Sequence, residues 1–472
     1  MLFDAGRETA AFSAEGLVIL YVRAIIFFTF VIGKDMTKIM NEMSIEDLYK
    51  IYEQHPVVTT DSRNTQEGSI FFALKGDSFD GNKFAQAALD KGCSYAVVDE
   101  AEYAVSDKCI LVDNVLKTLQ QLAAYHRIAI GLPVVGITGT NGKTTTKELV
   151  SAVLGSKYNI LYTKGNLNNH IGVPLTVLSI TKEHQIAVVE MGASHPGDIK
   201  ELVDIAAPNI GLITNVGRAH LAGFGSFEGV IKTKCELYDF LRQSDSSVFV
   251  NLDNEILVEK SEGINRIGYG LKDKSGLVCG SVMSNSPFLT MKFSVAGDDK
   301  EYVLETSLIG AYNAENVLAA VCVGTYFGVA PSQIKNAIEN YKPTNSRSQF
   351  KKTERNSLII DAYNANPTSM AASINNFNEV ALPDKALVLG EMRELGPDSD
   401  AEHQKIIDML ENFGLTDVRL VGHCFDNART SFPRYADVDA LIADLKANPM
   451  AGKTILVKGS NGNHLDRVVE WL

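Results

Sequence analysis

The segment that most constrains this chain lies between residues 134 and 154, where an apolar run, a glycine-rich turn and a helical pattern follow one another. The apolar run leads into Gly139-Thr140-Asn141-Gly142, and apolar residues then recur at the spacing of one helix face. Those residues are Leu149, Val150, Val153 and Leu154. Such a turn directs successive backbone N–H groups at one point, and the following helix adds the positive end of its dipole. The sequence therefore predicts a strand, a phosphate-binding loop and a helix in that order.

The loop departs from the most general phosphate-loop pattern at one position. The pattern G-x-x-x-x-G-K-[ST] requires glycine at position 137, where this chain has Ile137, and Gly136 lies one residue too early. A glycine-rich turn that only packs a strand against a helix is the alternative interpretation. Gly-Lys-Thr between a strand and a helix is a demanding context, so we favour phosphate binding. Lys143 would then reach the outer phosphates of a nucleotide, and the hydroxyl of Thr144 would bind Mg²⁺.

Length and composition indicate a globular protein of several domains. The 472 residues exceed what a single core accommodates and suggest about three domains. The formal net charge of −13 argues against a general nucleic-acid-binding protein, which would need a basic face. The six cysteines are scattered and include no C-x-x-C pair. They indicate small buried side chains in a reducing compartment rather than disulfides or a zinc site.

The first 35 residues differ in character from the rest of the chain. Residues 17–32 form an apolar run that is interrupted by Arg23. A membrane-spanning helix needs about 20 apolar residues, and this run lacks the basic start and cleavage site of a signal peptide. We interpret residues 1–35 as an over-extended N-terminus and expect no stable membrane insertion; a membrane tether is the alternative. The working chain would then start near Met36, Met40 or Met43.

The order of apolar and helical stretches after this extension predicts an α/β chain of three domains. We place them at residues 36–128, 129–342 and 343–472. The first is a small α/β domain, and the third is Rossmann-like. In the central domain, strand-like runs alternate with helical stretches, which predicts a largely parallel sheet with helices on both faces. These runs are residues 160–163, 186–190, 210–215 and 248–252. Near its end, Leu289, Met291, Phe293 and Val295 alternate with polar residues, which indicates a half-buried antiparallel strand.

Two strand-like runs of the central domain lead to side chains that could bind a metal. Glu190 closes one run, and ligands of parallel sheets gather at the carboxyl ends of strands. A carboxylate there is a natural second Mg²⁺ ligand after Thr144, although a solvent-facing glutamate is the alternative. His220 follows the next run; a lone histidine is more often a surface residue, but this one would lie beside the metal. Lys234 lies in a helical stretch, where a charged residue usually faces solvent.

Asparagine-rich segments recur in all parts of the chain after residue 160. An asparagine side chain carries two donors and an acceptor, which suits recognition of amides, base edges and sugars. Asparagine is also a common turn residue, so each segment alone is weak evidence. The segments contain Asn168 and Asn169, Asn313 and Asn316, and Asn364 and Asn366.

Taken together and in this order, these segments resemble the Mur ligase family over essentially the whole chain after Met36. The loop at residues 138–144 matches the family's G-x-x-G-K-T form, which explains the misfit to the general pattern. The resemblance implies an N-terminal domain that binds a UDP-sugar, a central ATP-binding domain and a C-terminal Rossmann-like domain. It implies a cytoplasmic amide ligase, expected to be a monomer, with no nucleic-acid partner.

The resemblance also implies a reaction and a set of site residues. The motifs are closest to those of family members that join D-alanyl-D-alanine to UDP-N-acetylmuramoyl-tripeptide with ATP, through an acyl phosphate. Two Mg²⁺ ions are implied, one held by Thr144 and Glu190, the other by His220 and by Lys234 carbamylated with CO₂. The catalytic residues implied are Lys143, His220 and Lys234. The ATP-binding residues implied are Thr138, Gly139, Thr140, Asn141, Gly142, Lys143, Thr144, Asn313, Asn316, Arg347 and Asp361. The substrate-binding residues implied are Ser62, Arg63, Lys75, Asp80, Asn168, Asn169, Asn364 and Asn366.

Three positions depart from the family pattern in or beside the C-terminal domain. Tyr312 stands where many relatives have histidine, Glu391 where aspartate is usual, and Asn461 where arginine is usual. These departures concern contacts and not the class of reaction. The alternatives are another Mur-type ligase that adds a single amino acid, a folylpolyglutamate synthase-like enzyme, and a non-enzymatic ATP-dependent switch. A switch would have no use for the UDP-binding segment at residues 61–81.

Overall fold

The computed structural model describes residues 43–344 and 347–472. The expected N-terminal extension, residues 1–35, lies outside the described residues. The described chain forms three α/β domains, each built on its own main sheet, as the sequence predicts. Within the described residues, no helix is long and apolar enough to cross a membrane.

The N-terminal domain contains a four-stranded parallel sheet and a short hairpin. Its strands are β1 (Val58–Thr59), β2 (Ile70–Phe72), β3 (Lys75–Gly76), β4 (Phe79–Asp80), β5 (Tyr95–Val98) and β6 (Cys109–Leu111), and its helices are α1 (Ile45–Gln54), α2 (Ala85–Asp90) and α3 (Val115–Ile130). The sheet order is β1-β2-β5-β6, and β3 pairs with β4. Ser44 caps α1 by accepting a hydrogen bond from the backbone N–H of Asp47 at 3.2 Å.

The central domain contains a nine-stranded sheet. Its strands are β7 (Val134–Thr138), β8 (Ile160–Tyr162), β9 (Ile186–Glu190), β10 (Ile210–Ile213), β11 (Ser247–Asn251), β12 (Asn265–Gly270), β13 (Val278–Ser284), β14 (Phe288–Val295) and β15 (Glu301–Ile309). Its helices are α4 (Lys143–Gly155), α5 (Gly172–Leu178), α6 (Asp198–Ala206), α7 (Leu221–Phe224), α8 (Phe227–Gln243), α9 (Glu255–Lys260), α10 (Asn313–Tyr326) and α11 (Pro331–Asn340). The order β15-β14-β13-β12-β11-β10-β7-β9-β8 places β7 between β9 and β10.

The sheet is parallel from β8 to β13 and antiparallel where β14 joins β13 and β15. Every residue of β7 and β9 is buried, because helices cover both faces of the parallel part. On β14, Leu289, Met291 and Phe293 are buried while the polar residues between them are half-buried. The alternation predicted for this strand is therefore confirmed.

The C-terminal domain contains a six-stranded sheet in the order β16-β17-β21-β18-β19-β20. Its strands are β16 (Gln349–Lys352), β17 (Ser357–Asp361), β18 (Lys385–Gly390), β19 (Val418–Val421), β20 (Arg434–Tyr435) and β21 (Thr454–Lys458), and its helices are α12 (Pro367–Glu379), α13 (Ser399–Asn412) and α14 (Val438–Ala447). Strands β17, β21, β18, β19 and β20 are parallel. Apolar clusters lie on both faces of this sheet, as in a doubly wound fold.

A buried arginine joins the N-terminal domain to the central domain. Arg127, near the end of α3, is 4% exposed. Its Nε donates to the Ala206 carbonyl at 2.9 Å, and its Nη2 donates to the Ala207 carbonyl at 3.0 Å and to Asn209 Oδ1 at 2.7 Å. Burial lowers the pKa of the guanidinium to about 10, so it stays charged at neutral pH. The planar guanidinium carries N–H donors that point in several directions, which suits these three acceptors. The acceptors lie at and just after the C-terminal end of α6.

We expect Arg127→Lys to lower the free energy of unfolding by about 2–4 kcal/mol, because one ammonium cannot reach three separated acceptors and leaves some of them unpaired. Denaturant unfolding measures the change. Arg429→Lys is the matched control, since Arg429 is exposed and its substitution should change stability by less than about 0.5 kcal/mol. Equal stability of the two variants would contradict this role for Arg127.

Candidate active site

The glycines of the loop after β7 lie where a side chain would collide with neighbouring strands and helices. Gly139 has φ +142°, and a Cβ on it would lie 2.0 Å from Thr214 Oγ1. Gly142 has φ +78°, and a Cβ on it would lie 2.5 Å from Asn316 Oδ1. Gly136, the glycine that fell out of the general pattern, lies within β7, where a Cβ would meet the Met191 side chain at 2.8 Å. Gly136 therefore serves packing, while Gly139 and Gly142 shape the loop.

The loop is held to the end of β10 by backbone and amide hydrogen bonds. The Asn141 N–H donates to Asn215 Oδ1 at 3.0 Å, and Asn215 Nδ2 donates back to the Asn141 carbonyl at 3.0 Å. Thr214 Oγ1 donates to the same carbonyl at 2.6 Å. The Thr140 N–H donates to the Asn215 carbonyl at 2.9 Å. These hydrogen bonds fix the conformation of the loop.

Lys143 opens α4 and lies over the loop. Its Nζ donates to the carbonyls of Gly139 at 2.8 Å and Thr140 at 3.0 Å. Burial lowers the pKa of this ammonium to about 8, an effect opposed by the charge of Glu190. An ammonium held only by carbonyl oxygens has no formal negative charge beside it, which suits a group that binds an anion.

Glu190 and Thr144 form a buried oxygen pair, as the metal hypothesis requires. Glu190 is 1% exposed, and Thr144 Oγ1 lies 3.1 and 3.0 Å from its two carboxylate oxygens. Asn168 Nδ2 donates to Glu190 Oε1 at 2.7 Å, and the Glu190 N–H donates to Thr163 Oγ1 at 3.0 Å. A buried carboxylate with only neutral donors around it is costly without a cation, so this donor set fits Mg²⁺. Within residues 43–344 and 347–472, no three or more His, Cys, Asp or Glu cluster as a complete metal site.

His220 lies at the edge of the same site and contacts the C-terminal domain. Its backbone has φ +49°, and its Nδ1 forms a hydrogen bond with a carboxylate oxygen of Glu394. Burial lowers the pKa of the imidazole, while the Glu394 charge opposes that shift. A neutral imidazole is the form that ligates a metal.

Lys234, on α8, does not face solvent as most helical lysines do. It is 2% exposed, and its Nζ has one hydrogen bond, to the Ala193 carbonyl at 3.4 Å. The Phe224 ring centroid lies 5.4 Å from the same nitrogen. Burial lowers the pKa of this amine well below its usual value, and the charge of Lys143 lowers it further. In the described part of the chain, no carboxylate lies within ion-pair distance of Lys234, and the more distant charges of Asp198 and Glu236 oppose the lowering of its pKa.

Asp361 and Lys458 pair at the ends of adjacent parallel strands of the C-terminal domain. Their side chains form an ion pair at 2.6 Å, and Ser373 Oγ donates to the same Asp361 oxygen at 2.9 Å. Nearby, the guanidinium of Arg347 stacks 3.9 Å from the Tyr363 ring centroid. The buried Nε of Arg347 has no hydrogen-bond partner within the described residues. A buried N–H group without a partner can donate a hydrogen bond to an additional acceptor at this position.

The asparagines that open α10 hold that helix against the phosphate loop. Asn316 Nδ2 donates to Asn313 Oδ1 at 2.9 Å, and Thr146 Oγ1 donates to Asn316 Oδ1 at 3.1 Å. Asn313 Nδ2 donates to the Ile309 carbonyl at 2.8 Å. Tyr312, a departure from the family pattern, shares a hydrogen bond with Ser348 at 2.8 Å between the two hydroxyl oxygens.

A cavity of about 950 Å³ between the central and C-terminal domains brings most of the expected site residues together. Those lining it are Thr140, Asn141, Gly142, Lys143, Thr144, Asn168, Asn169, Glu190, His220, Asn313, Asn316, Arg347, Asp361, Asn364 and Asn366. Asn461 and Glu394 also line it. Thr138, Gly139 and Lys234 lie beneath its surface.

The four expected substrate-binding residues of the N-terminal domain lie outside this cavity. Lys75 forms ion pairs at 2.9 Å with Asp99 and at 2.9 Å with Glu100, which follow β5. Asp80 accepts a hydrogen bond from the backbone N–H of Asn82 at 3.0 Å. Ser62 and Arg63 follow β1, so all four lie close to the carboxyl ends of this domain's parallel strands, where ligands of α/β sheets gather.

Two contacts at the site were not predicted from the sequence. One is the contact between Glu394 and His220, and the other is the pairing of Lys458 with Asp361. Lys458 did carry a signal, because it ends a buried apolar strand whose partner strand ends in Asp361. Glu394 lies in an irregular loop, where no helix or strand pattern predicts which residue its side chain contacts.

Three family models match the chain. The Mur ligase family catalytic-domain model matches residues 56–127. The Mur ligase middle-domain model matches residues 137–324. The Mur ligase, glutamate ligase domain model matches residues 346–461.

Relatives match along nearly the whole chain. The UDP-N-acetylmuramoyl-tripeptide–D-alanyl-D-alanine ligase of Bacillus subtilis (strain 168) is 34% identical over 438 residues, covering 89% of this chain and 94% of that protein. The Escherichia coli (strain K12) ligase of the same name is 34% identical, covering 88% of this chain and 93% of that protein. The crystal structure of MurF ligase from Thermotoga maritima in complex with ADP has a TM-score of 0.78 at 27% identity, covering 89% of this chain and 97% of that one.

We expect Gly142→Ala to lower the free energy of unfolding by about 1–3 kcal/mol, because alanine is strained at positive φ. The added methyl would also displace Asn316. Denaturant unfolding measures the change. Gly155→Ala, at the other end of α4, is the matched control. Its Cβ would meet Ile160 at 3.7 Å, an ordinary contact, so stability should be kept or rise by about 0.5–1 kcal/mol. Similar changes in both variants would contradict the role assigned to the loop glycine.

Proposed function

This chain belongs to the Mur ligase family, and from that premise we propose that it joins D-alanyl-D-alanine to UDP-N-acetylmuramoyl-tripeptide while cleaving ATP to ADP and phosphate. The reaction forms an amide bond and belongs to peptidoglycan precursor synthesis, on which cell shape and division depend. The observation that carries the proposal is the meeting of the phosphate loop, the Thr144–Glu190 pair and the Asp361–Lys458 pair around one cavity. Relatives of this activity match along 88–89% of the chain.

The reaction proceeds in two steps. The terminal carboxylate of the tripeptide attacks the γ-phosphorus of ATP, and ADP leaves, which gives an acyl phosphate. The amine of D-alanyl-D-alanine then attacks the acyl carbon, phosphate leaves, and the amine loses a proton. The first step requires little covalent work from side chains, so positioning and charge neutralisation carry it. Lys143 and the backbone N–H groups of residues 142–144, at the start of α4, supply both to the phosphates.

Thr144 and Glu190 would hold one Mg²⁺, since a buried carboxylate beside a hydroxyl matches the few protein oxygens that this ion takes. His220 and carbamylated Lys234 would hold the second. Bound Mg²⁺ supplies charge neutralisation on the transferring phosphate. The carbamate would form when the unprotonated Lys234 amine attacks CO₂ and a proton is released, which places a negative charge on the two oxygens of the new carboxylate. The lowered pKa of Lys234 and its lack of a charged partner support this modification.

The remaining residues would bind the organic parts of the substrates. Asn313, Asn316, Arg347 and Asp361 are assigned to the adenosine of ATP, and Asn168, Asn169 and Asn364 to the peptide substrates. Ser62, Arg63, Lys75 and Asp80 are assigned to the UDP end. We assign these roles to domains at residues 36–128, 129–342 and 343–472. The C-terminal domain covers the cavity, which excludes water from the acyl phosphate. We further propose a cytoplasmic monomer; the six free cysteines agree with a reducing compartment.

A ligation assay tests the proposed function. The purified chain is incubated with UDP-N-acetylmuramoyl-tripeptide, ATP and Mg²⁺, with either D-alanyl-D-alanine or single amino acids as acceptor. We expect phosphate release and a product of the dipeptide-adduct mass with D-alanyl-D-alanine only. A product with a single amino acid would instead identify another Mur-type ligase, and phosphate release without any acceptor would identify an ATPase switch. Running the assay with lysine- and diaminopimelate-containing tripeptides identifies the third residue.

We expect Lys143→Ala to lower kcat for ligation by at least about 100-fold, because a preorganised donor to the transferring phosphate is lost. The fold should be kept, since within residues 43–344 and 347–472 the ammonium forms hydrogen bonds to carbonyls and no ion pair. Initial rates and thermal unfolding together check this expectation. Lys182→Ala, at an exposed position, is the control and should keep both. A Lys143→Ala enzyme with ordinary turnover would exclude the assigned role.

We expect Lys234→Ala to lose ligation and to regain part of it when formate or acetate is added, because a small carboxylate can replace the carbamate anion. Rates with and without the carboxylate measure the rescue, and ¹³CO₂ labelling detects the carbamate carbon directly by NMR. Lys232→Ala, an exposed lysine two residues earlier on the same helix, is the matched control and should keep activity. An active Lys234→Ala enzyme that needs no carboxylate would remove the carbamate from the mechanism.

A further inference from the structure

A hydrogen bond between two asparagines connects the C-terminal domain to the phosphate loop. Asn366 Nδ2 donates to Asn141 Oδ1 at 2.8 Å, and Asn366 is 4% exposed. We infer that Asn366 is a positioning residue, which fixes the C-terminal domain against the phosphate loop so that Asp361 and Lys458 face ATP. This role differs from the substrate contact that the resemblance implies for Asn366. It rests on the proposed function, because it assumes that ATP binds at this loop.

The Asn366 amide is held in a single orientation. Asn366 caps α12, and its Oδ1 accepts a hydrogen bond from the Ser369 N–H at 2.9 Å. Its own N–H donates to Ser369 Oγ at 3.1 Å, which completes a capping box. Since the amide oxygen is occupied by the cap, the NH₂ group is the one that faces Asn141. The donor is therefore rigid before it meets the other domain.

The acceptor is equally fixed, because Asn141 follows the loop conformation. The backbone N–H of Asn141 is bound by Asn215, and its carbonyl is bound by Asn215 and Thr214. The position of its side-chain oxygen therefore depends on the loop keeping this conformation. The hydrogen bond to that oxygen therefore forms only when the loop has this conformation. A contact elsewhere on the central domain would not depend on the loop.

The segment that carries the donor also carries the groups assigned to ATP. Asn366 follows Asp361 by five residues in the chain. The ion pair between Asp361 and Lys458 fixes the start of that segment. Lys458 Nζ also donates to the Asn364 carbonyl at 3.3 Å, within the same segment. A second contact lies one turn away, where the Arg218 N–H donates to Thr368 Oγ1 at 3.3 Å. A shift of Asn366 would therefore carry Asp361 with it.

A double-substitution cycle tests this role. Asn366→Ser keeps the helix cap, because a serine hydroxyl accepts from the Ser369 N–H, but it is too short to reach Asn141. Asn141→Ala removes the acceptor and leaves the backbone bonds of the loop in place. For each single variant, we expect the Kd of ADP with Mg²⁺, measured by calorimetry, to rise about 10-fold. The double variant should be no weaker than either single variant. Multiplied effects in the double variant would overturn the coupling.

Ligation kinetics and a remote cap substitution complete the test. We expect Asn366→Ser to raise the KM for ATP and lower kcat with an unchanged Tm, a combination that a merely structural role would not give. Asp437→Ser, which changes the cap of α14 in the same manner, should leave nucleotide affinity unchanged. If wild type and Asn366→Ser bind ADP equally, the positioning role is wrong, whatever the ligation assay shows. If wild type binds ADP and shows no ligation, the proposed function fails while the cycle still decides the positioning role.

Discussion

The parallel pairing of β7 with β9 and β10 is the constraint on which the site depends. The register places Glu190 opposite Ile137, and Ile213 opposite Thr138, so the three strands end at one edge. That edge receives the phosphate loop, the Glu190 carboxylate and the loop that carries His220. The phosphate loop, Glu190 and the loop that carries His220 lie close together because the parallel pairing places the ends of their strands side by side.

Among the described residues, three ionisable side chains at the site have only neutral hydrogen-bond partners, unlike two other buried lysines, one of which also lines the cavity. Lys143, Glu190 and Lys234 are each bound by neutral oxygens or amides, whereas Lys458 and the buried Lys147 each have a carboxylate within 2.8 Å. Burial of a charge without an opposite charge beside it raises the free energy of the folded state, because the charge loses its hydration. Phosphates would supply the charge opposite to Lys143, and Mg²⁺ the charge opposite to Glu190.

The strands and the loop could be predicted because burial on both faces leaves a local pattern. The predicted run 186–190 coincides with β9, and the alternation at 289–295 falls within β14. The burial of Lys234 could not be predicted, because a lysine on a helix gives the same local pattern whether or not another helix covers it. Two of the contacts between the central and C-terminal domains join residues separated by 174 and 225 positions. Such contacts depend on how whole domains pack against each other. The spacing of apolar residues along the chain predicts helices and strands but not this packing.

The strength of the contact between Asn366 and Asn141 suits a domain that must close and reopen in every cycle. A neutral hydrogen bond contributes about 0.5–1.5 kcal/mol, because each partner exchanges it for water when the domains part. A buried ion pair at the same place would require both charges to lose their hydration each time the domains close, at several kcal/mol per ion before their mutual attraction is counted. Since ADP and phosphate must leave through the opened cavity, a weaker, direction-dependent contact positions the domain without slowing product release.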